Sequence, residues 1–157
     1  MDGTLPGAAA DLAPLPDTRP SFSAWLVAMA EAASMRSRDP STKVGAVIVR
    51  PDKSVAAVGY NGFPRGMEDR PEWYEHRPEK YDRVIHAEMN ALLSMKEHAA
   101  GTTVAITHPP CKDCAKHLAA AGVAKVIWRH CPEIAGRFGT ERSEQILRES
   151  GVEIEVL

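Results

Sequence analysis

Residues 86–90 read HAEMN and residues 110–114 read PCKDC. Between them they supply one imidazole, one carboxyl and two thiols. Cys111 and Cys114, three positions apart, fall on one face of an expected helix. The start of a helix lowers a thiol's pKa from its free value of about 8.5, which favours the thiolate. Such a pair takes a metal or forms a redox couple, and the surrounding residues are not thioredoxin-like. A further soft ligand decides the matter, and His86 offers one. Three protein ligands leave the fourth tetrahedral position of zinc open, which is a catalytic arrangement and not a structural one. A zinc ion brings the pKa of bound water from about 15.7 to about 7, so the remaining need is a proton carrier. Glu88 lies two residues after His86. In mid-helix the two would face nearly opposite ways, but in a first turn both reach beyond the helix end.

Taken singly, His-x-Glu reads as a helix start with an acid suited to the dipole, and Cys-x-x-Cys as a pair of uncertain use. Taken in order, with one strand between them, they form the ligand and proton-carrier pattern of zinc-dependent nucleobase deaminases.

The elements that must position these groups are legible in outline. Residues 1–20 carry four prolines without a usable period, as expected of a flexible tail, and the remainder, 21–157, forms one domain. From Ser21 the set Phe22, Trp25, Leu26, Met29, Ala32 and Ala33 follows helical spacing. The runs 44–49 and 54–60, separated by a Pro-Asp turn, predict a hairpin. Residues 64–83 predict a long polar loop, broken by three prolines and holding five cations. Then helices 86–98, 111–121 and 141–149 alternate with strands 103–107, 124–128 and 152–156. That alternation implies crossover connections. The expected architecture is a three-layer α/β/α sandwich whose mixed five-stranded sheet has parallel C-terminal strands.

At 157 residues the chain is long enough for one full core. Nineteen basic against 21 acidic residues leave a formal charge of −2, which disfavours a polynucleotide partner. The absence of a long apolar run argues against a membrane partner. A lone Cys-x-x-Cys with no export signal fits a reducing, cytoplasmic location.

SRDPSTKVGAVIV (37–49), GYNGFPRG (59–66), HAEMNAL (86–92) and PCKDCAK (110–116) occur in that order. With them the chain resembles the cytidine and deoxycytidylate deaminase superfamily, most closely its deoxycytidylate (dCMP) branch. The resemblance implies a cytidine deaminase-like fold, zinc held by His86, Cys111 and Cys114, and Glu88 as general acid and base. The implied reaction is hydrolysis of dCMP to dUMP and ammonia, with Glu88 supplying protons to N3 and to the departing amine. Asn61 is implied to contact the sugar or base, with Val44, Gly45, Ala46, Ala87, Thr107 and Pro109 lining the pocket. Arg65, beside Asn61, is the phosphate candidate. A homo-oligomer answering to dCTP and dTTP is implied as well.

Where many members carry Tyr-x-Thr before the cysteines, this chain reads Val104-Ala105-Ile106-Thr107, followed by His108-Pro109. A modified cytosine nucleotide is therefore an alternative substrate. A base within tRNA is a further candidate substrate, and a non-catalytic zinc-stabilised module is the non-enzymatic reading of the same residues. Cys131 with His130 or His76 is a candidate second metal site, although a loop cysteine is the plainer reading. Trp25 and Trp128 are expected in the core, and Phe63 and Trp73 are candidates to lie near the nucleotide.

Overall fold

The computed structural model describes residues 17–133 and 139–157. Of the expected tail, residues 1–16 lie outside that range. Helix α1 (Phe22–Ser34) starts where Ser21 Oγ accepts the Ala24 N–H at 3.1 Å, which satisfies an otherwise orphaned donor. Strands β1 (Gly45–Val49) and β2 (Val55–Tyr60) form the hairpin. Helices α2 (Pro71–Glu75) and α3 (Arg77–Arg83) follow, and then α4 (Ala87–Ser94), β3 (Thr103–Ile106), α5 (Lys112–Ala120), β4 (Lys125–Trp128), α6 (Thr140–Glu149) and β5 (Glu153–Val156).

The five strands lie in the order β2-β1-β3-β4-β5. β1 is antiparallel to β2 and β3, whereas β3, β4 and β5 run parallel. Alternation along the inner strands divides the core in two. Val47, Val49, Ala105 and Ile127 meet Leu26, Val27 and Ala30 of α1 on one face. Ala46, Ile48, Val104, Ile106, Val126 and Trp128 meet Ala87, Ala91, Leu118 and Leu147 on the other. One helix thus covers one face and α4, α5 and α6 cover the opposite face, the three layers expected.

Three expectations are corrected. Trp25 is 43% exposed. The buried stripe of α1 runs through Leu26, Val27, Ala30 and Ala33, and Trp25 stands about 100° off Leu26 at 3.6 residues per turn. The 64–83 stretch is not an irregular loop throughout, because it contains α2 and α3. Pro71 and Pro78, two of the three prolines that read as breakers, occupy the first turns of α2 and α3, where a missing N–H leaves no bond unmade. Phe63 stacks on Tyr74 at 4.3 Å, and Trp73 packs against the guanidiniums of Arg70 and Arg83. Finally, α4 stops at Ser94, whose hydroxyl donates to Ala91 O at 2.8 Å, competing for a helix carbonyl.

Two glycines set layer spacing. A Cβ on Gly45 would lie 1.9 Å from Ala30 O, and one on Gly59 would lie 2.3 Å from Ala87 O and 2.4 Å from Ala91 N. Backbone therefore touches backbone where α1 crosses β1 and where α4 crosses β2. Gly59→Ala is expected to destabilise the chain by about 3 kcal/mol or more, since no flexible side chain can yield. Gly62→Ala, with nothing within 4 Å of its Cβ, should stay within about 0.5 kcal/mol of the parent. Urea denaturation midpoints of the two variants check the contrast.

Candidate active site

Two helix beginnings converge at one point. His86 is the N-cap of α4 and Cys111 the N-cap of α5. The positive ends of both helices therefore face the cluster. His86 Nδ1 lies 3.5 Å from Cys111 Sγ and 3.4 Å from Cys114 Sγ. The three ligand atoms all fall within 4.8 Å of one another. A tetrahedral zinc with ordinary Zn–N and Zn–S bonds separates nitrogen from sulfur by about 3.6 Å. The donor set and its spacing fit that ion. Among the described residues this is the single group of three or more His, Cys, Asp or Glu side chains so arranged. Cys131 and His130 or His76 do not form a second such group. Cys131 Sγ donates instead to Glu133 at 3.3 Å.

The thiols share protons unequally. The Cys114 thiol donates to Cys111, and with the Cys114 backbone N–H and His86 it brings Cys111 down to about 4, against the opposing effect of burial. Cys114 moves upward, because it is the donor in that pair and is buried. The hydrogen bond to Cys111 raises His86, and burial opposes the rise. A cation at the centre would take the place of the shared proton and leave both sulfurs as ligands.

Glu88 stands in the first turn of α4, is 3% exposed, and shares a hydrogen bond with Cys114. Burial pushes its carboxyl above the ordinary carboxylate range. A carboxyl so tuned can hold a proton and release it beside the metal ligands. Asn90, last in the HAEMN stretch, donates from Nδ2 to Tyr60 O at 2.8 Å, tying α4 to β2. The sequence offered no sign of this anchoring.

The expected pocket residues form a linked group at the ends of β1, β2 and β3. Asn61 is buried; its Oδ1 accepts the Val44 N–H at 2.8 Å, and its Nδ2 donates to Thr42 O and to Asp39 Oδ2. Those partners fix which end of the amide is oxygen. Gly45 N–H donates to Thr107 Oγ1, and Thr107 N–H to Gly45 O. Thr107 Oγ1 also pairs with His108 Nδ1 at 2.8 Å. Ala46 and Ala87 are fully buried in the core, while Pro109 is half-buried.

A paired bridge joins this group to the ligands. Gly62 N–H donates to Ile85 O and Ile85 N–H to Gly62 O, so Asn61 and His86 each adjoin one end of it. Arg65 is exposed and, with Arg77, forms no ion pair among the described residues of the 64–83 stretch.

An open depression of about 340 Å³ reaches the three ligands from outside, with Ile85, Met89 and Leu93 as apolar lining. Glu88 and the expected substrate contacts are not part of its wall.

Asp39 and Lys80 were not singled out from the sequence. Their side chains are 1% and 12% exposed and meet at 2.7 Å. No local period marks an ion pair between residues so far apart in the chain.

The model of the cytidine and deoxycytidylate deaminase zinc-binding region matches residues 20–130. An uncharacterized deaminase of the luxG 3' region of Aliivibrio fischeri is 38% identical over 132 residues, covering 80% of this chain and 86% of that protein. A probable deoxycytidylate deaminase of Caenorhabditis elegans is 43% identical over 104 residues, covering 64% of this chain and 53% of the relative. The chain thus spans about half the length of that relative. The dCMP deaminase of cyanophage S-TIM5, solved with dCMP and dUMP, superposes with a TM-score of 0.70 at 31% identity, covering 88% of this chain and 98% of the phage enzyme. With a zinc-fitting ligand trio, a buried glutamate beside it and the family's zinc-binding region matched across both motifs, this chain belongs to the cytidine and deoxycytidylate deaminases, hydrolytic enzymes with a zinc-binding region.

Proposed function

We propose that the chain converts dCMP and water to dUMP and ammonia, a step that supplies precursor for dTMP. The observation that carries this reading is Glu88, a buried carboxyl of raised proton affinity hydrogen-bonded to a metal-ligand thiol. A structural zinc site has no use for such a group. The choice of dCMP among cytosine compounds rests on the 31% identity to the phage dCMP deaminase and on the relatives named deoxycytidylate deaminase.

In this reading His86, Cys111 and Cys114 hold the zinc. The bound ion supplies Lewis acidity that readies water as a nucleophile at neutral pH. Glu88 accepts a proton from that water, gives one to N3 of the cytosine ring, and protonates the amino group as it leaves C4. Water adds at C4, the C4–N bond breaks, and the oxygen stays on the ring as a carbonyl.

Asn61 has both Nδ2 hydrogens and one Oδ1 lone pair engaged, so it meets the nucleotide as an acceptor and suits a sugar hydroxyl. Val44, Gly45, Ala46, Ala87, Thr107 and Pro109 form the pocket wall around it. Arg65, exposed and without an ion pair among the described residues, takes the phosphate. Assembly into a homo-oligomer and control by dCTP and dTTP belong to the same reading, on the strength of the family resemblance. No described helix is long and apolar enough to cross a membrane.

Glu88→Gln is expected to retain zinc and lose turnover by about 10²–10⁴-fold, whereas Cys111→Ala should lose zinc and turnover together. Metal analysis alongside ammonia release separates the two outcomes, and a Glu88→Gln variant as active as its parent would rule out the proton-carrier role. Chelation of the parent should abolish activity and added zinc should restore it. A panel of dCMP, dCTP, deoxycytidine, cytosine and a tRNA stem-loop, with and without dTTP, tests the substrate. Better turnover of any other member than of dCMP would sink the proposal.

A further inference from the structure

We infer that Lys80 is a positioning residue for the nucleotide pocket, its ammonium fixing the Asn61 amide through Asp39; the inference rests on the dCMP reading above. Lys80 lies in α3, outside every motif that suggested the function. Its Nζ meets Asp39 Oδ2 at 2.7 Å and Ser41 Oγ at 2.8 Å. Asp39 Oδ1 accepts the Ser41 N–H, the Ser41 hydroxyl and the Thr42 N–H. Its Oδ2 is shared between Lys80 and Asn61 Nδ2, the latter at 3.3 Å. Burial by itself would raise the Asp39 carboxyl; Lys80 and the Ser41 and Thr42 donors outweigh it and hold the group ionised.

The consequence passes to Asn61. Its Nδ2 has two hydrogens, one on Thr42 O at 2.9 Å and the other on Asp39 Oδ2. Its Oδ1 receives the Val44 N–H. Without the Lys80 ammonium, the Ser41 and Thr42 donors still hold Asp39 Oδ1, but Oδ2 loses its charged partner and keeps only the longer bond from Asn61 Nδ2. The carboxylate can then turn about its Oδ1 contacts and carry Oδ2 away from the Asn61 N–H. The amide loses one of the bonds that orient it, and the Val44 peptide loses its fixed partner. Neither change touches His86, Cys111, Cys114 or Glu88. Substrate binding should therefore suffer while the chemical step persists.

The test compares Lys80→Met with the parent for zinc content, kcat and KM with dCMP. The expected result is unchanged zinc per chain, kcat within about threefold, and KM raised about tenfold or more. Lys80→Arg, which keeps the charge, should recover most of the KM. In the double variant Asp39→Asn/Lys80→Met, KM should rise no further than with Asp39→Asn alone, because both substitutions break one linkage. A purely structural role would reduce the fraction of active molecules, lowering kcat with KM unchanged, and that outcome overturns the inference. KM within about twofold of the parent overturns it equally. Should Lys80→Met fail to fold, Lys80→Gln takes its place with the same expected and overturning results. If the zinc-loaded parent does not turn over dCMP, the dCMP reading falls and the inference with it. An active parent whose Lys80 variants keep their KM leaves that reading standing and removes the inference alone.

Discussion

The contact on which the site depends is between two backbones, β2 at Gly59 and α4 at Ala87 and Ala91. No side chain separates them. This brings the first turn of α4 down to the level of the sheet, and with it the imidazole at its N-cap and the carboxyl of Glu88. Asn90 then fixes the helix in rotation by its bond to Tyr60 O. Were α4 raised by the width of a methyl group, His86 would leave the 3.4–3.5 Å range that fits a shared tetrahedral ion. A three-ligand centre tolerates little such error, because coordination distances vary by only about 0.2 Å.

The second constraint is electrostatic. Two thiols, an imidazole and a buried carboxyl occupy a small volume, so the protonation of each bears on the others. Cys111 ionises because three donors point at it, and Cys114 keeps its hydrogen. The helix N-termini supply positive potential from both sides. The arrangement resembles a lock whose wards are set for a dication, since one soft divalent ion satisfies the charge that shared protons only balance in part.

Much of this was legible in the sequence, and the reasons differ by element. The inner strands were clear because their apolar residues alternate between two buried faces. HAEMN and PCKDC were clear because a chemical requirement, not a propensity, dictates their residue types. Trp25 misled because a large apolar residue at roughly the right period looks like core, although one position off the stripe is enough to expose it. The α2 and α3 helices were hidden because proline signals a break in the middle of a helix and a start at its first turn. Lys80 and Asp39 could not have been paired by inspection. Their contact spans the hairpin and the α2–α3 excursion, and folding alone makes it local.

The Gly62–Ile85 bridge bears on how this part of the chain can vary. It closes the base of everything from Phe63 to Val84, so the ends of the excursion stay together whatever lies between them. The entropy of closing a loop grows only with the logarithm of its length, about 0.6 kcal/mol for each doubling. Residues could be added to or removed from that excursion at small thermodynamic expense, without drawing His86 from the cluster. What cannot be removed freely is a cation able to reach back to Asp39. The segment is thus open to change in size and bound in one charge.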